Sequence, residues 1–353
     1  MKQKILHITS VHPHDDLRIF QKECCTLSTK YDVTILNPVF NGSINGVKFE
    51  TINLPKNRFL RIIFGWIFCL KKTLFTDYKI IHFHDPELLL CVLFWKVRGY
   101  KTIYDIHEDV EEQIYQKEYI PQKIRKLISF LVHQFEKIIS SIVSHNIVVT
   151  DFLQKKFSNS SIVYNYPLSK DKPLNCVRKN QMCYIGNLDR SRGIELMSRL
   201  AFDMETPIVI AGNATKDALE IINGNQYLDY RGYLGEQDIT EIMSNSKIGL
   251  ILHDQGGNHK YGFPTKLFEY MQHSLPVIVS DNYYPRKIVN QSKCGYVVNI
   301  DSYKEIIQSV KSLYFNKELH SDLSSCAFIA SKKYSWESEG KKLINLYTEL
   351  LLN

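Results

Sequence analysis

The chain has no G-x-G-x-x-G fingerprint, no G-x-x-x-x-G-K-[ST] loop and no D-x-D triplet. The first absence disfavours a hydride-transferring dinucleotide enzyme, whose glycines let the backbone approach a pyrophosphate. "DQGGNHKYG" spaces its glycines differently and does not open a helix directly after a strand. The second excludes a P-loop, and the third removes the usual signature of a metal-bridged nucleotide-sugar site. Eight cysteines are present, but only Cys24 and Cys25 are adjacent and there is no C-x-x-C or Cys/His metal spacing. Reduced, mostly buried thiols and a cytoplasmic setting are therefore expected. No apolar run is long: the most hydrophobic window, "FLRIIFGWIFCL", carries Arg61 and Gly65 and is too short to span a bilayer. The start, "MKQKILHITS", lacks the apolar stretch and cleavage site of a signal peptide and reads as a buried strand.

What is present is ordinary in bulk. Hydrophobic residues at 44% with 23% charged ones fit a soluble globular protein. At 353 residues the chain is long for one core, so two domains are expected. A formal charge of +7 points to nucleic acid, an anionic membrane surface or phosphorylated ligands. No motif supports nucleic acid.

Short apolar runs alternate with helical patterns. "KILHIT", "YDVTILN", "KIIHFHD", "KTIYDIHE" and "NIVVT" read as strands, and the polar stretch "YNYPLSKDKPLNCVRKN", with Pro167 and Pro173, reads as a linker. The alternation restarts with "MCYIGN", "PIVIAGN", "YLDYRGY", "KIGLILH", "LPVIVS" and "GYVVNI". Such alternation predicts parallel sheets covered on both faces, and two series predict two doubly wound domains, at residues 1–166 and 177–334. The segment 335–353 reads as an amphipathic helix. Ligands of such sheets bind beyond the carboxyl ends of the strands, so the residues after "HFHD", "YDIHED", "CYIGN" and "GLILH" are expected to face a common cleft.

"YGFPTKLFEYMQHSLPVIVSD" (261–281) puts charge where a simple helix would not. Pro264 suits a first helical turn, and the helix is expected to run to about Gln272 before a buried strand. Lys266 then falls where the helix dipole disfavours a cation, and Glu269, three residues on, shares its face. A cation, free N–H groups and a carboxylate together suit a phosphate attached to a hydroxyl-bearing sugar. Taken alone, the pair equally reads as a surface ion pair worth little.

"HITSVHPHDDLRIFQKE", "HFHDPELL", "YDIHED", "YIGNLDRSRGIE" and "PTKLFEYMQHSLPVIVSD", in this order and spacing, resemble the group 1 (family 4) glycosyltransferases of the GT-B fold, of the bacterial surface-polysaccharide (capsule or O-antigen) type. The resemblance covers nearly the whole chain. It implies an α/β fold of two Rossmann-like, doubly wound domains facing across a cleft, with the last helix returning to the N-terminal domain. The implied activity is hexosyl transfer from a nucleoside-diphosphate sugar, a UDP-sugar favoured, to a lipid-linked or oligosaccharide acceptor, with retention of configuration and with no cofactor or metal. A departing diphosphate then needs its charge met by protein groups. Arg192 matches the family's basic residue against the diphosphate, Arg190 is a second choice, and Lys266 completes the clamp. A guanidinium can hold phosphate oxygens bidentately, and helix N-termini after Gly193 and Pro264 add N–H groups. Glu269 matches the glutamate on the ribose hydroxyls, an acceptor suited to paired O–H donors. Asn187, Leu267 and Phe268 complete the implied nucleotide contacts. His107 matches the histidine near the transferred sugar, and His84 and Asp85 are expected to shape the acceptor side.

Two departures stand out. The first glutamate of the family's E-x7-E motif is replaced by Tyr261, leaving Asn258, His259 or Tyr261 to meet the donor sugar. The loop "SVHPHDDLR" lacks the family's paired glycines, leaving Arg18 or His14 to act from side chains. His82 and His84 share a face of one strand, but with no third ligand evident, no metal site is expected. "PKNRFLRIIFGWIFCLKKTLF" carries Lys56, Arg58, Arg61, Lys71 and Lys72 among aromatics with no acid, and a second stretch adds Lys123, Arg125 and Lys126. Helices of this kind lie in the headgroup plane of anionic membranes, or else cover a core with snorkelling lysines. The first case implies a peripheral location at the inner face of the plasma membrane. Two other functions stay open: a nucleotide-sugar epimerase of the same fold, and a non-catalytic partner of a polysaccharide-assembly complex.

Overall fold

The computed structural model describes residues 2–55, 57–116, 121–169 and 178–352. Lys56 and Pro173, and the side chains of Arg58, Phe59, Lys123 and Asn258, lie outside the described residues. The chain divides into two compact units, Met1–Asn165 with Trp336–Asn353, and Tyr166–Ser335.

The strands of the first unit are β1 (Lys4–Ile8), β2 (Asp32–Asn37), β3 (Gly42–Ile44), β4 (Val47–Thr51), β5 (Ile80–Phe83), β6 (Lys101–Ile106), β7 (His145–Val148) and β8 (Ser160–Ile162). They form one sheet in the order β3-β4-β2-β1-β5-β6-β7-β8, parallel except for β3 against β4. Strand order reverses between β1 and β5, the place where doubly wound sheets present a crevice. The β3–β4 hairpin turns on Asn45 and Gly46, with φ of 53° and 77°, as a two-residue Asn-Gly loop requires. Neither this hairpin nor β8 is among the strands predicted from the apolar pattern.

Leu17–Cys24 winds as a π-helix, whose hydrogen bonds link residues five apart. Arg18 and Glu23 therefore share a face, and it is the inward one, at 4% and 0% exposure. The C-terminal helix Trp336–Leu352 belongs to this unit. Trp336 Nε1 donates to Thr26 Oγ1 at 2.8 Å, and a Cβ on Gly340 would come within 2.9 Å of the Thr26 methyl.

The second unit has β9 (Met182–Ile185), β10 (Ile208–Ala211), β11 (Leu228–Tyr230), β12 (Ile248–Ile251), β13 (Val277–Ser280) and β14 (Gly295–Val298). All pairings are parallel, in the order β11-β10-β9-β12-β13-β14. That is the 3-2-1-4-5-6 arrangement of nucleotide-binding doubly wound domains, with its reversal between β9 and β12. β9, β10, β12 and β13 are buried along their whole length, as helices on both faces of a parallel sheet demand.

Candidate functional site

A group of polar side chains gathers at the carboxyl ends of the strands in each unit, beside the reversal of strand order. In the second unit the chain leaves β9 and enters a short 3-10 turn, Arg190–Arg192. Asp189 caps the turn: Oδ1 accepts from the Arg192 N–H at 3.0 Å, and Oδ2 pairs with the Arg192 guanidinium. Burial opposes ionisation of Asp189, but Ser191 and Arg192 hold its carboxyl below the usual range. Gly193 follows at φ 80°, where a Cβ would lie 2.2 Å from the Leu252 carbonyl oxygen. Only glycine lets the turn sit this close to the segment after β12. There the Asp254 N–H donates to the Ser191 carbonyl at 2.7 Å, and His259 Nε2 lies 2.9 Å from Ser191 Oγ. Burial and then Arg192 lower the pKa of His259. Burial, then His259 and Arg192, bring His253 to about 3. Both imidazoles are neutral at pH 7, beside a guanidinium.

The helix Thr265–Gln272 begins directly after Pro264, which stands at the cap rather than in the first turn. Lys266 Nζ donates to Glu269 Oε2 at 2.8 Å, with the two side chains 32% and 26% exposed. The helix is held at its C-terminal end. Tyr270 OH accepts the Ile185 N–H of β9 at 2.9 Å, and Arg178 donates to the carbonyls of His273 and Ser274, both at 2.8 Å. Those carbonyls are among the groups that a helix end leaves unsatisfied. Leu267 and Phe268 are fully buried, Phe268 against Tyr166 and Tyr334, so the expected contact of their side chains with a nucleotide is corrected: they anchor the helix. Arg190 points to Glu195 and Asp217, both well exposed. Asn187 is exposed, and its carbonyl accepts from Tyr184 OH at 2.9 Å. Tyr261 is 38% exposed, its ring 6.0 Å from that of Tyr283.

In the first unit His107 follows β6, and its Nε2 lies 2.7 Å from Asp105 Oδ2. Asp105 also takes Arg18 through two bonds, and Arg18 donates further to the Val163 carbonyl at 3.1 Å. Burial opposes the charge of Asp105, but Arg18 and His107 keep its carboxyl far below the usual range. Arg18 is thus consumed inside the unit and does not reach a ligand, contrary to the sequence expectation. Two further expectations are corrected for the same reason. Asp85, 4% exposed, accepts from Thr9 Oγ1 at 2.9 Å and the Ser10 N–H at 2.6 Å, pinning the loop after β1. His84, also 4% exposed, lies between His7 and His107. Neither offers a side chain to an acceptor. His14 stacks on Phe40 at 4.8 Å.

The residue that sequence reasoning missed here is His12. Its ring lies 5.4 Å from that of His107, Nδ1 is 3.1 Å from Asp16, and Asp85 is 3.8 Å away. Burial works against a charge on His12, yet Asp16 and Asp85 raise its pKa. Asp105 was likewise missed. Its signal is a carboxylate inside an apolar strand, two residues before a histidine and hence on the same face.

Chemically, the second unit offers two cations, each held by one partly exposed carboxylate: Arg192 at the end of a 3-10 turn and Lys266 in the first turn of a helix. The first unit offers a pair of histidines fixed by carboxylates, His107 by the buried Asp105 and His12 by the partly exposed Asp16. Residues 167–328 match the family model described as glycosyl transferases group 1, and residues 23–162 match glycosyltransferase family 4. No curated relative matches the chain in sequence. Sucrose-phosphate synthase from Thermosynechococcus elongatus superposes with a TM-score of 0.77 at 13% identity, covering 99% of this chain and 100% of that one. HepE of Anabaena, solved in complex with UDP and glucose, gives 0.74 at 12% identity over 98% and 100%. WaaG, described as a glycosyltransferase involved in lipopolysaccharide biosynthesis, gives 0.70 at 13% over 97% and 99%. At these identities the likeness is one of fold.

Proposed function

This chain belongs to the group 1 (family 4) glycosyltransferases of the GT-B fold, and we propose that it moves a hexosyl group from a UDP-sugar to a lipid-linked glycan acceptor in surface-polysaccharide assembly, with retention of configuration. The observation that carries this reading is the pair of half-exposed cations in the second unit, Arg192 beside Asp189 and Lys266 beside Glu269. A diphosphate entering there exchanges one weak carboxylate partner per cation for phosphate oxygens. As the sugar leaves, the growing charge on the diphosphate strengthens those contacts, which is where transition-state stabilisation arises. No divalent ion is needed for that step. Glu269 holds the ribose hydroxyls, and His259 and Tyr261 meet the donor sugar in place of the missing glutamate. His107, fixed by Asp105, positions the transferred sugar. The acceptor proton passes to a phosphate oxygen of the donor, so no protein base is assigned. The UDP complexes of HepE support the choice of donor.

A lipid-borne acceptor is supported by the first unit's surface. Leu60, Phe64 and Phe68 stand exposed four residues apart on the helix Arg58–Thr73, and Ile124, Leu127 and Leu131 stand exposed three and four residues apart on the helix Gln122–Ser140. Both helices pack against the turn Pro86–Cys91, where Leu90 is exposed too. Exposed Lys71, Lys72 and Lys126 border these apolar stripes, the composition of an interfacial helix on anionic lipid. No helix among the described residues is long and apolar enough to cross a membrane.

The test is UDP release from a panel of UDP-sugars with and without a polyprenyl-linked glycan. Release that requires the acceptor supports transfer. A changed sugar without acceptor means an epimerase, and no turnover with any donor means a non-catalytic partner.

A further inference from the structure

His7 of β1, His82 of β5, His84 just beyond it and Glu23 of the π-helix converge inside the first unit. One donor atom of each lies within 4.8 Å of one from each of the others. Their exposures are 0%, 0%, 4% and 0%. The fold brings them together for simple reasons. His7 and His82 are register partners across β1 and β5, His84 lies two residues on along the same face, and the π-helix turns Glu23 inward. The sequence argument against a metal, that His82 and His84 lack a third ligand, does not survive folding.

Each imidazole has one nitrogen engaged outside the cluster. His82 Nδ1 lies 2.7 Å and His7 Nε2 3.1 Å from Tyr347 OH, and His84 Nδ1 lies 3.3 Å from Asp105 Oδ2. The other nitrogens face inward. His82 Nε2 has no hydrogen-bond partner, and His7 Nδ1 and His84 Nε2 face each other at 3.1 Å. Neither Glu23 oxygen accepts a hydrogen bond, although Oε1 lies 3.1 Å from Arg18 Nε as an ion pair. Metal-bound histidines are held this way, with the second ring nitrogen on a carboxylate or other acceptor. Nitrogens bound to one tetrahedral ion at about 2.0–2.1 Å stand roughly 3.3 Å apart, close to the His7–His84 spacing.

We propose that this cluster binds one Zn²⁺ through His7 Nδ1, His82 Nε2, His84 Nε2 and a Glu23 oxygen. Three neutral imidazoles and a carboxylate suit zinc better than calcium or magnesium, which prefer oxygen ligands throughout. Two carboxylates, Glu23 and Asp105, lie against Arg18 and offset two of the three positive charges that the ion and Arg18 carry together. With four protein ligands and no open position the site is structural. It ties β1, β5 and the π-helix together, holds the C-terminal helix through Tyr347, and fixes His84 against the same Asp105 that orients His107. It belongs to the first unit, whereas the proposed diphosphate clamp belongs to the second, and it holds whether or not the donor reading does.

The experiment is metal analysis of the purified full chain, as isolated and after unfolding in chelator and refolding with Zn²⁺, since a buried ion exchanges slowly. About one zinc per chain is expected, together with a thermal midpoint that rises on refolding with zinc. Co²⁺ in its place should give the visible absorption of a tetrahedral site. His82→Gln and Glu23→Gln should each lose the ion. If they fail to fold, the stoichiometry and Co²⁺ spectrum of the wild-type chain decide the matter. Wild-type protein without zinc after both treatments, or zinc fully retained in folded His82→Gln, would overturn the proposal.

Discussion

Arg18 holds Asp105 through two bonds, Nη2 to Oδ1 at 2.9 Å and Nε to Oδ2 at 3.1 Å, with neither side chain more than 5% exposed. The partners are 87 residues apart in sequence. Removing one partner of such a pair leaves the other charge buried and unmatched, which costs about 3–5 kcal/mol. Arg18→Ala is therefore expected to lower the unfolding free energy from denaturant titration by that much while leaving UDP affinity unchanged, because the clamp is in the other unit. Wild-type stability with lost UDP binding would return Arg18 to the ligand.

The same pair shows what the sequence can and cannot tell. Strand ends were legible: apolar runs locate β1, β2, β5, β6, β7 and, in the second unit, β9, β10, β12 and β13, because parallel strands buried on both faces leave an uninterrupted pattern. The partly buried β11 and β14 follow from the strand–helix alternation. The edge hairpin β3–β4 was passed over despite its Asn45–Gly46 turn, since short, half-exposed strands lack that run. Within the site, Lys266 and Glu269 were legible because helical spacing alone brings them together. A loop without paired glycines suggests Arg18, and a strand end suggests His84 and Asp85, as groups that face a ligand. Whether such a group is instead consumed by a distant partner is decided by packing, which no local pattern encodes. The cluster of His7, Glu23, His82 and Tyr347 was hidden for that reason.

Glu136 gives a pH dependence. Burial pushes its carboxyl up to about 7, although Tyr104 OH donates to it at 2.7 Å. The folded chain then holds a proton that the unfolded chain, with a pKa of about 4.3, gives up earlier. Stability from this group is full below about pH 4, falls as pH rises toward about 7 and is level above. Glu136→Gln keeps the acceptor for Tyr104 without titrating. The variant's thermal midpoint is expected to gain on wild type between pH 5 and 7.5, by the equivalent of on the order of 2–3 kcal/mol at most. Parallel curves for the two proteins would contradict this.

The apolar stripes bordered by Lys71 and Lys72 should carry the first unit to anionic lipid. Sedimentation with vesicles containing anionic lipid is expected, with release as salt rises, because screening weakens several lysines together. Replacing both lysines with glutamate should reduce binding and spare UDP affinity. Equal sedimentation with neutral and anionic vesicles, or none with either, would leave the stripes as a covering surface only.

The clamp itself is tested most directly by acceptor-dependent UDP release, measured for the wild type, Arg192→Ala and Lys266→Ala without added divalent cation. Because Arg192 and Lys266 are partly exposed, their loss should spare folding, and the thermal midpoints should stay near wild type. Turnover in each variant is expected to fall at least about a hundredfold, as loss of transition-state charge stabilisation does. The wild-type rate should not rise with Mg²⁺ or Mn²⁺. Near wild-type turnover in both variants, or strict dependence on an added divalent cation, would contradict a diphosphate neutralised by these two side chains.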